Sequence, residues 1–383
     1  MLQTKALAEL AVLPVAARTR EVVDGWIERH RPFPVVEDKR ITFVWRGDAD
    51  AVHLKHWVYG LPSSQQLARL DGTNVWHLTF ELPHGSRVEY KFEVVRNGRG
   101  EWTEDPFNPN RARDPFGANS VAQGFGYETP DWIQPDPEAK QGVTDEIVVE
   151  SKVFGRRGVG MYLPARYRRN RRYPLLVVHD GHDYVRYASL KIILDNLIHR
   201  REIPDMVVAL TSSPHRLGEY ADDPRHATFI ATELVPLLET RMAIEGRAQG
   251  RCLMGASFGA VASLTTAWRH PGMFGKLLLQ SGSFAFTDIG DRNHRGPLFD
   301  PIVQFMNRFR ADPQPVSERI FITVGTYESL IYENRSLVPL LRSTGMEVRY
   351  TEARDGHNWE NWRDRLREGL SWVFPGPLMF VYE

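Results

Sequence analysis

Ser257 sits at the centre of Gly255-Ala256-Ser257-Phe258-Gly259, with a glycine two places to either side. The short apolar run Arg251-Cys252-Leu253-Met254 precedes it, and a helix-compatible stretch from Ala260 to Trp268 follows until His270-Pro271 stops it. A strand turning sharply into a helix through such a motif projects the serine hydroxyl outward, as acyl-transfer chemistry requires of a nucleophile. The small residues let strand and helix approach closely.

A serine hydroxyl is unreactive at neutral pH until a positioned base takes its proton. Of the 13 histidines, His357 stands where that base is expected. It follows the last predicted strand, in the loop Arg354-Asp355-Gly356-His357-Asn358-Trp359, and comes after the serine in chain order. His53, His56 and His77 belong to a strand-rich region, and His199, His226 and His270 to helical stretches, so these read as structural or solvated. A carboxylate orienting the base is expected after the next-to-last strand, Phe321-Ile322-Thr323-Val324, and Glu328 stands there. Glu333 in the following turn, or a serine-histidine dyad without an acid, are the alternatives. Asp355 is too near His357 in sequence for this role.

The tetrahedral intermediate needs donors for its oxyanion. One is the backbone N–H of Phe258, and the second is expected from the loop His179-Asp180-Gly181-His182-Asp183-Tyr184, as the N–H of Gly181 or of His182. Gly181 suits the tight turn, and Asp183 reads as a helix N-cap.

These residues need a layered scaffold, and from Glu146 onward strands and helices alternate. Strands are expected over 147–154, 158–163, 173–179, 206–210, 251–254, 276–280, 319–324 and 347–351, with helices over 187–198, 227–242, 330–341 and after 358. That order predicts a mostly parallel α/β sheet.

The amino-terminal part reads differently. A helix over 17–30 with Val22, Val23, Trp26 and Ile27 on its apolar face precedes alternating strands over 41–46, 51–58, 75–82 and 88–95. Gly47-Asp48, Asp71-Gly72 and His84-Gly85 mark the turns of an antiparallel sandwich. Pro130, Pro135 and Pro137 punctuate a charged stretch that suits an extended linker. The expected domains are 1–127, a helix plus β-sandwich; 128–142, a linker; and 143–383, an α/β-hydrolase.

The 383 residues carry 48 basic and 48 acidic side chains, so no global field recruits nucleic acid or an anionic membrane. Cys252 stands alone, which excludes an intrachain disulfide framework and a cysteine-rich metal site, and it reads as a buried structural thiol. No metal or cofactor is called for by this chemistry. The amino terminus lacks the apolar core of a secretory signal and no apolar stretch is long enough for a membrane span, so a cytoplasmic location is expected.

Taken together, the motifs resemble the enterochelin esterases, cytoplasmic hydrolases of ferric catecholate siderophores within the esterase-D group of α/β-hydrolases. The likeness is carried by Tyr173 to Gly181, Arg216 with Glu219-Tyr220, Glu233 to Pro236, the Ser257 pentapeptide, Gln280 to Phe284, Gly325 to Arg335 and Gly356 to Arg363. In the amino-terminal half it rests on Ile41 to Trp45, Trp57-Val58 and Asp71 to Trp76. The resemblance implies an α/β-hydrolase domain preceded by an early-set, immunoglobulin-like β-sandwich, with Ser257 as nucleophile, His357 as base and Glu328 as acid. It also implies a small-molecule ester substrate.

A ferric catecholate is anionic and aromatic, so arginines and aromatic rings should meet it. Trp45, Arg46, Arg216, Tyr220, Arg335 and Trp359 are the candidates, although Trp45 alternates into a strand core and Arg216 is placed to pair with Glu219. The basic run Arg166, Arg168, Arg169, Arg171 and Arg172 reads as a solvated hairpin loop. Tyr90-Lys91-Phe92 and the stretch 105–121 also resemble early-set carbohydrate-binding modules. A feruloyl or acetyl carbohydrate esterase is therefore the alternative enzyme, and a glycan- or siderophore-binding protein the non-catalytic one.

Overall fold

The computed structural model describes residues 3–287 and 294–377. They form two compact units, and the division is not a simple cut along the chain. The first unit comprises the chain up to Thr129 together with Gly325–Glu328 and Ala353–Asn358; the second holds Pro130–Val324, Ser329–Glu352 and the chain from Trp359.

In the first unit, helices α1 (Lys5–Ala11) and α2 (Arg20–His30) precede ten strands. Thr4 and Thr19 cap the two helices by accepting a backbone N–H three residues on. Val23, Trp26 and Ile27 of α2 are buried with Phe33 and Val44, whereas Val22 faces solvent. The strands are β1 (Val35–Glu37), β2 (Arg40–Arg46), β3 (Ala51–His56), β4 (Ser64–Gln66), β5 (Ala68–Arg69), β6 (Val75–Glu81), β7 (Arg87–Arg96), β8 (Arg99–Thr103), β9 (Arg111–Asp114) and β10 (Gly117–Gln123). One sheet has the order β1-β2-β6-β5 and the other β4-β3-β7-β10-β9, with β8 beside β7. Phe43 and Trp45 of β2 and Trp76 of β6 meet Leu54 of β3 and Tyr90 and Phe92 of β7 in one core, which makes the pair a sandwich.

Asp105 closes the sandwich edge. Its carboxylate accepts the Tyr90 hydroxyl at 2.6 Å and the Phe107 N–H at 2.8 Å, and its own N–H reaches Ser120 Oγ at 2.7 Å. Burial outweighs these donors and pushes the acid up to about 6.

The second unit is built on β11 (Val143–Ser151), β12 (Gly155–Leu163), β13 (Leu175–His179), β14 (Val207–Thr211), β15 (Arg251–Ala256), β16 (Lys276–Gln280), β17 (Arg319–Gly325) and β18 (Glu347–Ala353). Their order is β11-β12-β14-β13-β15-β16-β17-β18. The first two join antiparallel, and β14, β13, β15, β16 and β17 run parallel. This is the expected α/β-hydrolase sheet.

Helices cover both faces, as a parallel sheet demands. Along the chain they are α3 (Gly181–Tyr187), α4 (Leu190–His199), α5 (Arg216–Tyr220), α6 (Pro224–Thr228), α7 (Val235–Arg241), α8 (Phe258–Arg269), α9 (Asp300–Ala311), α10 (Ile331–Ser343) and α11 (Trp359–Val373). Val177, Leu253, Leu277 and Ile322 point to one core with α8, α9 and α10. Val178, Met254, Leu278 and Phe321 point to the other with α4 and α11. Cys252 lies in that second core, and burial pushes its thiol up to about 12, in keeping with an inert structural role.

Several local expectations need correction. The helix expected over 187–198 starts later, as α4 at Leu190, and is separated by Ser189, whose φ is 52°, from helix α3 before it. The helix expected over 227–242 starts earlier, at Pro224, and carries a π-helical turn at Phe229–Leu234. The stretch after Pro130 is not extended throughout, since Asp131–Ile133 form a 3-10 turn, and it is anchored: Asn196 Nδ2 donates to Trp132 O and Gln134 O, and Asp195 accepts the Gly142 N–H at 2.7 Å. The arginine run 166–172 is exposed, but it crosses between β12 and β13, which are not neighbours, and so is not a hairpin loop.

Candidate active site

Ser257 is the corner between β15 and α8, with φ 58° and ψ −120°. That region is costly for any residue with a Cβ, and such strain persists only where the surroundings over-determine it. They do so here. The Ser257 N–H donates to Gln280 O at 2.9 Å, and its carbonyl accepts the N–H of Ser283 at 3.3 Å and of Ala260 at 3.1 Å. A Cβ on Gly255 would sit 2.4 Å from the backbone of Gly259, and one on Gly259 would sit 3.2 Å from the His179 side chain. Gly255 is therefore fixed by the close crossing of strand and helix, and Gly259 by its tight approach to His179. Ser257 Oγ lies 3.2 Å from Ser283 Oγ. Ser283, buried behind the strand β16, was not among the residues singled out from the sequence, though Gln280-Ser281-Gly282-Ser283 belongs to the motif set.

Gln280 itself is locked. Its carbonyl oxygen Oε1 accepts the Tyr184 hydroxyl at 2.8 Å and its amide donates to Trp362 O at 2.9 Å, while Trp362 Nε1 donates to Ser281 Oγ at 2.9 Å. The strand end that receives the Ser257 amide is thereby held from α3 and α11.

In the first unit, His357 and Glu328 pair directly. His357 Nδ1 lies 2.5 Å from Glu328 Oε2, and Glu328 Oε1 accepts the Gly325 N–H at 2.5 Å. An ionised carboxylate can only accept, so it would fix an imidazole proton on Nδ1. Glu328 is buried and His357 is partly exposed. Glu333 is instead committed to His294, whose Nδ1 lies 2.9 Å from its Oε1.

The His179-Asp180-Gly181-His182 turn stands beside the elbow, because β13 and β15 are adjacent and Val178 pairs with Met254. Its left-handed residue is Asp180, φ 55°, and not Gly181. Gly181 is required for a different reason: a Cβ there would lie 2.4 Å from Leu210 Cα. Asp180, and not Asp183, occupies the cap position of α3. The N–H groups of Gly181 and His182 open α3, as that of Phe258 opens α8, so all three are amides that a helix leaves without an internal acceptor. Phe258 is buried and His182 exposed.

Beneath this turn lies a buried polar chain. His179 Nε2 meets His226 Nε2 at 2.9 Å, and its Nδ1 meets Ser263 Oγ at 3.0 Å. Burial, with His226 alongside, pushes His179 well below its ordinary value, so it is neutral. Glu219 receives Arg157 at 2.7 Å; burial works against its charge, but His226, Arg157 and Ser213 hold it down to about 2.

The expected Arg216–Glu219 pair does not form, since Arg216 Nε donates to Asp180 at 2.8 Å and its guanidinium lies over the Tyr220 ring. Tyr220 is fully buried, and its hydroxyl accepts the Asp180 N–H, so it is a core wall and not a ligand contact. Trp45 is likewise part of the sandwich core, its ring filling the space where a Cβ on Gly47 would be. Arg46 is held by Asp24 and Asn74. Arg335 makes a two-pronged contact with Glu352 at 2.6 Å and is otherwise exposed. Trp359 is partly buried among Tyr184, Tyr187 and Trp362.

Among the described residues no helix is long and apolar enough to cross a membrane, and no cluster of three or more His, Cys, Asp or Glu is arranged to hold a metal ion.

Residues 151–373 match the family model described as "Putative esterase", and residues 40–132 match that of the enterochelin esterase N-terminal domain. The chain is 26% identical to the iron(III) enterobactin esterase of Escherichia coli (strain K12), over 90% of this chain and 94% of that protein. It is 22% identical to that of Dickeya dadantii, over 88% of each. Among solved structures, the enterochelin esterase from Shigella flexneri superposes with a TM-score of 0.71 at 23% identity, covering 91% of this chain and 97% of that one. A ferulic acid esterase superposes with a TM-score of 0.54 at 20% identity, covering 61% and 98%. With one model spanning the greater part of the chain and the second matching the sandwich ahead of it, the chain is a carboxylic-ester hydrolase of that esterase family, on its enterochelin-esterase side.

Proposed function

We propose that the chain is a serine esterase that hydrolyses the ester bonds of a ferric catecholate siderophore of the trilactone type, releasing its iron. The observation that carries the serine chemistry is the backbone of Ser257, held at positive φ on a strand-to-helix corner by hydrogen bonds from three directions. The Glu328–His357 pair supports the assignment of acid and base, because each follows its strand in the order serine, acid, histidine. The substrate class rests on the relatives named iron(III) enterobactin esterase.

In this reading His357 Nε2 takes the Ser257 proton as Oγ attacks the ester carbonyl. The N–H of Phe258 and that of Gly181 or His182 receive the oxyanion. His357 then protonates the departing alkoxide, and an acyl-enzyme remains. Water, deprotonated by the same imidazole, attacks the acyl carbon and frees the carboxylic acid and Ser257. Glu328 holds the imidazole tautomer and offsets its charge in both half-reactions. Arg216, Arg335 and Arg46 already face carboxylates, so their contribution to an anionic substrate would be through exposed edges and not full charges. Trp359 remains the aromatic candidate.

The decisive experiment pairs Ser257→Ala with product analysis on ferric and iron-free catecholate trilactones. Loss of turnover and of fluorophosphonate labelling is expected; retained turnover would reject Ser257 as nucleophile. A second reading, a feruloyl or acetyl carbohydrate esterase, is favoured by Trp57 and Trp102, two half-exposed indoles 6.5 Å apart on the sandwich. Faster cleavage of feruloylated sugars than of trilactones would select it.

A further inference from the structure

Arg87 is almost wholly buried, although a guanidinium is costly to desolvate without partners. Asp355 and Asn358, two of its partners, lie in a loop some 270 residues further on. Nη1 donates to Asp355 Oδ1 at 3.1 Å and to Asn358 Oδ1 at 3.1 Å, Nη2 donates to Glu89 at 3.1 Å, and the Arg87 backbone N–H donates to Arg354 O at 2.9 Å. Asp355 Oδ1 in turn accepts the Gly356 N–H at 2.7 Å and the Asn358 amide at 2.8 Å. The residues on both sides of His357 are thus tied to one guanidinium–carboxylate pair.

The neighbouring residue reaches the other loop. Ser86 Oγ lies 2.6 Å from the hydroxyl of Tyr327, which adjoins Glu328, and the Tyr327 carbonyl accepts the Tyr59 N–H at 2.7 Å. The two loops are also stitched to each other: Thr326 N–H donates to Ala353 O at 2.7 Å and Tyr327 N–H to Asp355 O at 3.1 Å. Both loops belong to the same compact unit as the sandwich strands that carry these residues.

We propose that Arg87 is a positioning residue for ester hydrolysis: from sandwich strand β7 it fixes the loop that carries His357 so that the imidazole meets Glu328. The inference rests on the reading of His357 and Glu328 as base and acid. It gives the sandwich a share in the chemistry, through the geometry of the acid-base pair, beyond any part in holding substrate. A planar fork that reaches Asp355 and Asn358 through Nη1 and Glu89 through Nη2 does this more fully than the single point of an ammonium.

The test uses the full chain with Arg87→Met, Arg87→Lys and Asp355→Asn, an aryl ester, and the far-downfield proton resonance of the His357–Glu328 hydrogen bond, identified by its loss in His357→Ala. For Arg87→Met we expect kcat to fall by about 30-fold or more with KM changed less than about twofold, since a displacement of an ångström at a base can cost about 100-fold. The resonance should move or vanish, and Arg87→Lys should recover part of both. Asp355→Asn, which keeps the shape and loses the charge, should repeat the effect and serves where Arg87→Met fails to fold. A folded variant with kcat within about twofold, a fall in kcat with the resonance unmoved, or a change confined to KM would each overturn the proposal. Activity surviving in Ser257→Ala or His357→Ala would instead sink the triad, and the resonance would still report whether Arg87 holds the pair.

Discussion

Gly255 and Gly259 face each other across the elbow so closely that a Cβ on the first would lie 2.4 Å from the carbonyl carbon of the second. Gly255→Ala therefore has to part strand β15 from helix α8. Overpacking of this kind costs about 3 kcal/mol or more when the obstacle is backbone. A Cβ on Gly259 meets side chains and not backbone, His179 at 3.2 Å and Asp180 at 3.6 Å, so Gly259→Ala should cost roughly half as much. Urea denaturation of the two variants measures the difference, and equal costs would show that the crossing is not what fixes Gly255.

Glu328 and Glu333 were both open as the acid, and their side chains meet different histidines. Glu328 Oε2 is 2.5 Å from His357, and Glu333 Oε1 is 2.9 Å from His294. Glu328→Gln should lower kcat by about 100-fold or more, because an amide stabilises neither the Nδ1–H tautomer nor the imidazolium as a carboxylate does. Glu333→Gln should change kcat less than about threefold in the folded enzyme. Steady-state kinetics on an aryl ester decide it, and a reversed order would move the acid to Glu333.

The elements around the elbow were legible because each carries its own signal: apolar strand runs, a small-residue turn, and a helix stopped by His270-Pro271. Helical periodicity runs unbroken through Ser189, so a left-handed residue there, which splits α3 from α4, left no mark on the pattern. Helix α9 shows the full period in Ile302, Phe305, Met306 and Phe309, and Pro301 in its first turn is itself a helix-start signal, so it was legible in the sequence although no helix was expected there. Trp45 and Tyr220 have the right chemistry for an aromatic ligand, and only burial shows them to be core. The partner of Arg216 was misassigned to the nearby Glu219 because Asp180, 36 residues away, is brought close only by the fold. Arg87 lies still further from its partner, 268 positions before Asp355.

Asp180 is nearly buried, with a carboxyl raised above the usual range by burial and held back by Arg216. Arg216→Met removes that restraint, leaving a buried carboxylate that costs roughly 3 kcal/mol if it stays ionised. Its folded pKa then rises further above the unfolded one, so the folded protein keeps a proton that the unfolded chain has lost. Stability from such a group is present at low pH and is lost as pH rises. The variant should therefore be destabilised more at pH 8 than at pH 5, and its kcat should fall because Asp180 shapes the Gly181-His182 turn. Denaturation at the two pH values checks the sign, and a greater loss at pH 5 would refute the account.

Asp105 offers the same linkage without any catalytic involvement. Its acid is pushed up to about 6 in the folded sandwich, chiefly by burial, from an ordinary value of 3.8. Between those values the folded protein holds a proton that the unfolded chain releases, so unfolding free energy falls with rising pH by up to about 1.4 kcal/mol per unit. Below that window the contribution is complete, and above it the loss is complete. Asp355, also at about 6, adds a similar slope, whereas Glu219, held down to about 2, contributes no slope once its unfolded range is passed. Asp105→Asn removes one of these protons while keeping an acceptor for the Tyr90 hydroxyl or the Phe107 N–H. Stability measured by urea denaturation from pH 4 to pH 6.5 should then decline less steeply than in the parent protein, with the two curves diverging by up to about 3 kcal/mol. Parallel curves would mean that Asp105 is ionised throughout and that the Tyr90 and Phe107 donors outweigh its burial.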